Sequence, residues 1–72
     1  MEANSAPIEE LLTTEEVAKI LRIDEMTLKR WRMDGRGPRW IKMGNSQNSP
    51  VRYARTDVAD FISQRKEGEA QP

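Results

Sequence analysis

From Leu12 onward, short apolar rows at helical spacing alternate with polar breaks and then give way to residues that alternate in and out. Val17, Ile20 and Leu21 repeat as one helical stripe, which predicts a first helix over Thr14–Leu21. Thr13 and Glu16 stand at the spacing of a capping box, and Leu12 and Val17 at that of a hydrophobic staple. Arg22-Ile23-Asp24 breaks the stripe. Asp24 suits an N-cap, and Ile23 with Leu28 repeats the staple, so a second helix is expected over Glu25–Met33. Its inner face carries Leu28 and Trp31; Met26, Lys29, Arg30 and Met33 point away. Asp34-Gly35 ends it, with Gly35 suited to a left-handed stop.

After the turn at Gly37-Pro38, Arg39–Met43 reads as a strand with Ile41 and Met43 on one face and Trp40 and Lys42 on the other. The stretch Gly44–Pro50 is a polar loop, expected to be long and flexible, and Val51–Ala54 returns as a second strand with Val51 and Tyr53 inward and Arg52 outward. Thr56 is placed to cap a third helix, with Val58, Phe61 and Ile62 as its buried stripe and Arg65 and Lys66 in its last turn. The pattern therefore predicts an α+β fold: two short helices, a β-hairpin and a third helix. Residues 1–11 read as a disordered lead, 12–66 as the domain and 67–72 as a polar tail. Leu28, Trp31, Tyr53 and Phe61 are the expected core. Trp40 is expected to lie partly buried against a helix, with stacking or groove contact as the alternative.

Composition removes several function classes. The 72 residues include neither cysteine nor histidine, so disulfides, thiolate nucleophiles and imidazole ligands are absent. No apolar run approaches the roughly 20 residues of a membrane span, and the first residues lack a signal-peptide pattern. These features imply a cytoplasmic protein that is not an enzyme and needs no metal or other cofactor. No Gly-rich phosphate loop or nucleophile–base pair stands in the chain, and its carboxylates lie at helix starts, where capping accounts for them.

Net charge is zero, but its distribution is uneven. Between Lys19 and Arg55 there are ten cations and three anions, an excess of about +7, whereas both ends are acidic. Such segregation marks an electrostatic footprint for nucleic acid. Two capped helices joined by about three residues must turn sharply, which is the helix-turn-helix arrangement. A second helix so held can lay its outer face in the major groove of double-stranded DNA. Arg30 and Lys29 would reach guanine or phosphate there, and Met26 would meet a thymine methyl. The hairpin would act as a wing, gripping the adjacent minor groove or its phosphates through Arg39, Lys42, Arg52 and the tip amides of Asn45, Gln47 and Asn48. This assignment requires Lys29, Arg30, Lys42 and Arg52 to converge on one surface. The segment Gly35-Arg36-Gly37-Pro38-Arg39 also resembles short Arg-Gly minor-groove hooks, although a plain Gly-Pro turn accounts for the same residues.

The ordered set of residues 12–21, Thr27 to Trp31, Gly35, Gly37-Pro38, residues 41–44, Val51 to Tyr53 and Thr56 to Val58 resembles the excisionase and AlpA-like group of the MerR-type winged-helix superfamily. The resemblance covers about residues 12–63. It implies a winged helix-turn-helix, with Met26, Thr27 and Arg30 as readers on the second helix and Lys42 and Arg52 as wing contacts. It further implies a recombination directionality factor that binds near an attachment site, bends DNA and directs an integrase, with weak cooperative self-association on the DNA. A small transcriptional regulator of a mobile element fits the same residues. A protein-interaction adaptor using the Met26 and Met33 face is the reading from another class. Two departures stand out: the tip from Asn45 to Ser49 is longer and less basic than usual, and the chain stops soon after the third helix, without the dimerisation helix of full MerR regulators.

Overall fold

The computed structural model describes residues 10–66, and the expectations for the rest of the lead and for the tail lie outside them. In chain order the elements are β1 (Leu11–Thr13), α1 (Thr14–Leu21), α2 (Glu25–Met33), β2 (Ile41–Lys42), β3 (Val51–Ala54) and α3 (Arg55–Gln64). The helices form where the apolar spacing places them. At α1 the capping box is complete: Glu16 N–H donates to Thr13 Oγ1 at 3.1 Å, and Thr13 N–H donates to Glu16 Oε1 at 2.9 Å. Arg22 then adopts a left-handed conformation at φ 60°, while Ile23 N–H donates to the Ala18 carbonyl at 3.0 Å. This left-handed residue closes α1 and makes the sharp turn into α2.

The strands assemble into one antiparallel sheet of three, ordered β1-β3-β2. β1 is the element that the pattern did not predict; three residues are too few to show an alternation. It pairs Leu11, Leu12 and Thr13 with Ala54, Tyr53 and Arg52. Leu11, expected in the lead, is therefore ordered, and the Glu10 carbonyl accepts from Arg55 N–H at 3.0 Å. The pairing makes β3 a central strand and joins the hairpin to the start of α1.

The core is Leu12, Val17, Ala18, Leu28, Tyr53 and Val58, with Leu21, Ile23, Trp31 and Val51 packed around it. Each large side chain buried here contributes about 1.5–3 kcal/mol. Both staples hold, since Leu12 and Val17 are buried and Ile23 packs on the cluster containing Leu28. Several expectations need correction. Ile20 is 48% exposed and Ala18 takes its inner position, because 100° per residue turns Val17, Ala18 and Leu21 to the core and Ile20 aside. Ile62 is likewise exposed, and Phe61 is half-buried. α3 starts at Arg55 with Ala54 at the N-cap, two residues earlier than a Thr56 cap would require. Asp24 occupies its cap position, but its side chain makes no capping hydrogen bond. Arg65 is the C-cap residue of α3 and does not belong to its last turn.

The core therefore rests on Leu28 but not on Ile20. Leu28→Ala should cost about 2–5 kcal/mol in thermal or denaturant unfolding. Ile20→Ser should stay within about 0.5 kcal/mol of the parent, and a loss as large as that of Leu28→Ala would return Ile20 to the core.

Candidate nucleic-acid interface

The outer face of α2 is open as the spacing requires. Met26 is 62% exposed and Met33 86% exposed, with Lys29 and Arg30 exposed between them. Isolated exposed apolar residues are ordinary, but two methionines bracketing two cations on one helical face make an amphipathic surface suited to a groove edge. Thr27 lies on the flank of this face and is half-buried. The sharp turn behind α2 and the burial of Leu28 hold the helix with that face outward.

One residue of α2 points elsewhere. Arg32, counted in the sequence only as part of the basic middle, is half-buried on the flank nearest the sheet. Its Nη1 donates to Tyr53 Oη at 3.1 Å and to Thr14 Oγ1 at 3.2 Å. Its guanidinium carbon also lies 5.7 Å from the centre of the Trp40 ring. Arg32 thus ties α2 to the start of α1, to β3 and to the chain entering the wing. Trp40, 40% exposed, is partly covered, and the ring contact that holds it comes from Arg32 of α2.

α2 ends as anticipated, with Asp34 as C-cap and Gly35 left-handed at φ 73°. Arg36 N–H donates to the Trp31 carbonyl at 2.8 Å. Gly37 at φ 84° lies so close to Trp31 that an added Cβ would stand 3.0 Å from Cε3 of its ring, and Pro38 is buried. These contacts make the segment a fixed turn, which favours the Gly-Pro reading over a free hook. Arg36 and Arg39 project from it, both exposed. Arg36 entered the sequence reading only through the hook alternative, and its place between two turn glycines is the signal that marks it.

The wing departs from expectation in three ways. Its first strand is Ile41–Lys42, extended by one further bond from Met43 N–H to the Pro50 carbonyl at 2.8 Å, where Arg39–Met43 was expected. The tip is closed on itself, since Ser46 N–H donates to Ser49 Oγ at 3.0 Å and Asn48 N–H to Ser46 Oγ at 3.1 Å. It leaves Asn45, Gln47 and Asn48 exposed. The register changes the faces: Ile41 stands opposite Arg52, and Lys42 opposite Val51. Directly opposed residues share a face of the sheet. Lys42 and Arg52 therefore leave the hairpin on opposite faces, and Ile41 lies on the Arg52 face, exposed. Arg52 is half-buried and its Nη1 donates to the Val51 carbonyl at 2.8 Å. The convergence of Lys29, Arg30, Lys42 and Arg52 that the assignment required does not hold, because Lys42 and Arg52 lie on opposite faces of the hairpin; the case for nucleic acid then rests on the open α2 face and not on a four-cation surface.

Among the described residues, no cluster of acidic side chains could hold a metal ion, and no helix is long and apolar enough to cross a membrane. The architecture of three helices with a hairpin wing on a small sheet is that of a winged helix-turn-helix. A family model described as a helix-turn-helix domain matches residues 11–66. Comparison with curated proteins and with solved structures gives no match.

The Arg32 bridge has a measurable signature. Arg32→Met should destabilise the domain by about 1–3 kcal/mol, because it strands the buried Tyr53 hydroxyl. Adding Tyr53→Phe should recover part of that loss in a double-mutant cycle, whereas strictly additive losses would show that the two side chains do not interact.

Proposed function

We propose that this chain, which belongs to the helix-turn-helix domain family, acts as an architectural DNA-binding protein of the excisionase type. In this reading, the outer face of α2 enters the major groove and the β2–β3 hairpin reaches the adjacent minor groove. Arg30 and Met26 meet base edges, with Thr27 at the flank, while Lys29 reaches phosphate. Arg39 and Lys42 grip the backbone, and Asn45 and Gln47 present amides from the tip. Arg52 contributes by bracing its own strand. The observation that carries this reading is the open α2 face, bracketed by Met26 and Met33, on a helix bound to the wing through Arg32.

Function follows from holding two grooves at once. A helix and a wing fixed relative to each other engage one duplex best when it curves to meet both, so DNA that bends readily is favoured. The protein binds near an attachment site, bends the DNA and directs an integrase toward excision, and copies assemble weakly side by side along the site. It acts in the cytoplasm by binding alone and catalyses no step. The resemblance of residues 12–63 to excisionase and AlpA-like domains supports the recombination role. An integrase-dependent excision assay separates it from a small regulator of transcription: stimulated excision supports the proposal, and altered transcription with unchanged excision overturns it.

Two quantities test the contact surface. With about five phosphates neutralised, log affinity should fall against log salt with a slope of about −4 to −5, and a flat response would remove the electrostatic basis. Arg30→Ala should weaken the cognate site by about 1–3 kcal/mol and relax discrimination at one base position. An equal loss on every DNA sequence would make Arg30 a phosphate clamp.

A further inference from the structure

Phe61 forms a half-buried ridge between two hollows that differ in charge. One, of about 280 Å³, is lined by Asp57 and Asp60, with Arg39 also on its wall. The other, of about 320 Å³, is lined by Arg36 and Arg65 together with Trp31. Gly37 and Phe61 belong to both, so an acid-rich and a basic hollow lie side by side across an aromatic ridge.

The parts of this face are held in place. The Phe61 ring lies 5.9 Å from that of Trp31, tilted by 52°. Arg65 stands with its guanidinium carbon 5.1 Å from the centre of the Phe61 ring. Arg36 is set by its backbone bond to Trp31 and by the close approach of Gly37 to the same ring. Within the described residues no ion pair engages Asp57, Asp60, Arg36 or Arg65. Asp57 and Asp60 share their hollow with Arg39, so it is acid-rich and not purely acidic, while the charges of the neighbouring hollow are Arg36 and Arg65 alone.

A surface that carries both halves of a charge pattern is complementary to its own copy turned about a two-fold axis. The acid-rich hollow of one copy then covers the basic hollow of the other, and the two Phe61 ridges meet near the axis. We infer that this face is a self-association surface whose occupant is a second copy of this chain. Duplex DNA is disfavoured at Asp57 and Asp60, whose carboxylates repel phosphate even though Arg39 of the same hollow is a proposed backbone contact, and a peptide of one sign would satisfy one hollow only. The face is small, which places the contact in the weak, transient class. It gives the self-association proposed above a definite location, as a pair of copies that the two-fold contact closes. Its test runs without DNA, so that its failure leaves the DNA-binding reading standing.

The full chain is examined by sedimentation equilibrium across micromolar to millimolar concentration at low salt. A monomer–dimer equilibrium that weakens as salt is added is expected. Arg36→Glu with Arg65→Glu, and separately Asp57→Lys with Asp60→Lys, should each weaken it about tenfold or more. Mixing the two variants should restore association, because both contacts then pair opposite charges again. Circular dichroism checks that each variant is folded; if Asp57→Lys disturbs α3, Asp60→Lys alone replaces the pair. A parent chain that stays monomeric, variants that associate as well as the parent, or a mixture that stays monomeric would overturn the inference. So would association that appears only when duplex DNA is added.

Discussion

Tyr53 is fully buried, and its hydroxyl must find a partner within the protein. That partner is Arg32, whose guanidinium is satisfied in turn by Thr14 and by the face of Trp40. A buried hydroxyl left without a partner costs about 1–3 kcal/mol, a large share of the stability open to a domain this small. An exposed arginine ion pair contributes at most about 1 kcal/mol. The magnitudes place Arg32 among the residues that organise the fold, although its charge type suggests a DNA contact. Through it, the helix that faces outward, the central strand and the chain entering the wing are one connected unit.

That connection explains how a protein of zero net charge presents a usable surface. The basic middle of the sequence divides once it is folded. Arg32 and Arg52 are drawn into hydrogen bonds, and Arg55 pairs with Glu10 at 3.7 Å. Lys29, Arg30, Arg36, Arg39 and Lys42 remain exposed along α2, the turn after it and the hairpin. The surface is consequently less basic than the sum of its residues, and its apolar members, Met26 and Met33, matter correspondingly more. Asp57 and Asp60 of α3 line the same hollow as Arg39.

α1 and α2 were legible because each carries a strong local signal, whereas the Thr56 cap expected for α3 falls two residues late. The Thr13–Glu16 box fixes where α1 begins, and Gly35 fixes where α2 stops. The outer face of α2 was legible for the same reason, since its exposure follows from Leu28 and Trp31 facing inward. The strands were less so. β1 is too short to show a period, and without it β3 reads as one arm of a hairpin and not as the middle of a sheet. The face of Lys42 depends on pairing Ile41 with Arg52, and a shift of one residue reverses every side chain. Nothing local to residues 39–43 sets that register. Arg32 was passed over because composition records its charge alone, while its role depends on Tyr53 and Thr14, which are distant in sequence.

In the proposed complex the α2 face and the hairpin tip meet the same duplex as a unit. Titrating the isotope-labelled full chain with duplex DNA and following backbone amide shifts by NMR tests it most directly. Simultaneous changes are expected at Met26, Lys29, Arg30 and Met33 and at Asn45 to Asn48, with Leu11, Ile20 and Ile62 unmoved. Changes centred on Leu11, Ile20 and Ile62, or on the helix alone while the tip stays silent at saturation, would contradict it.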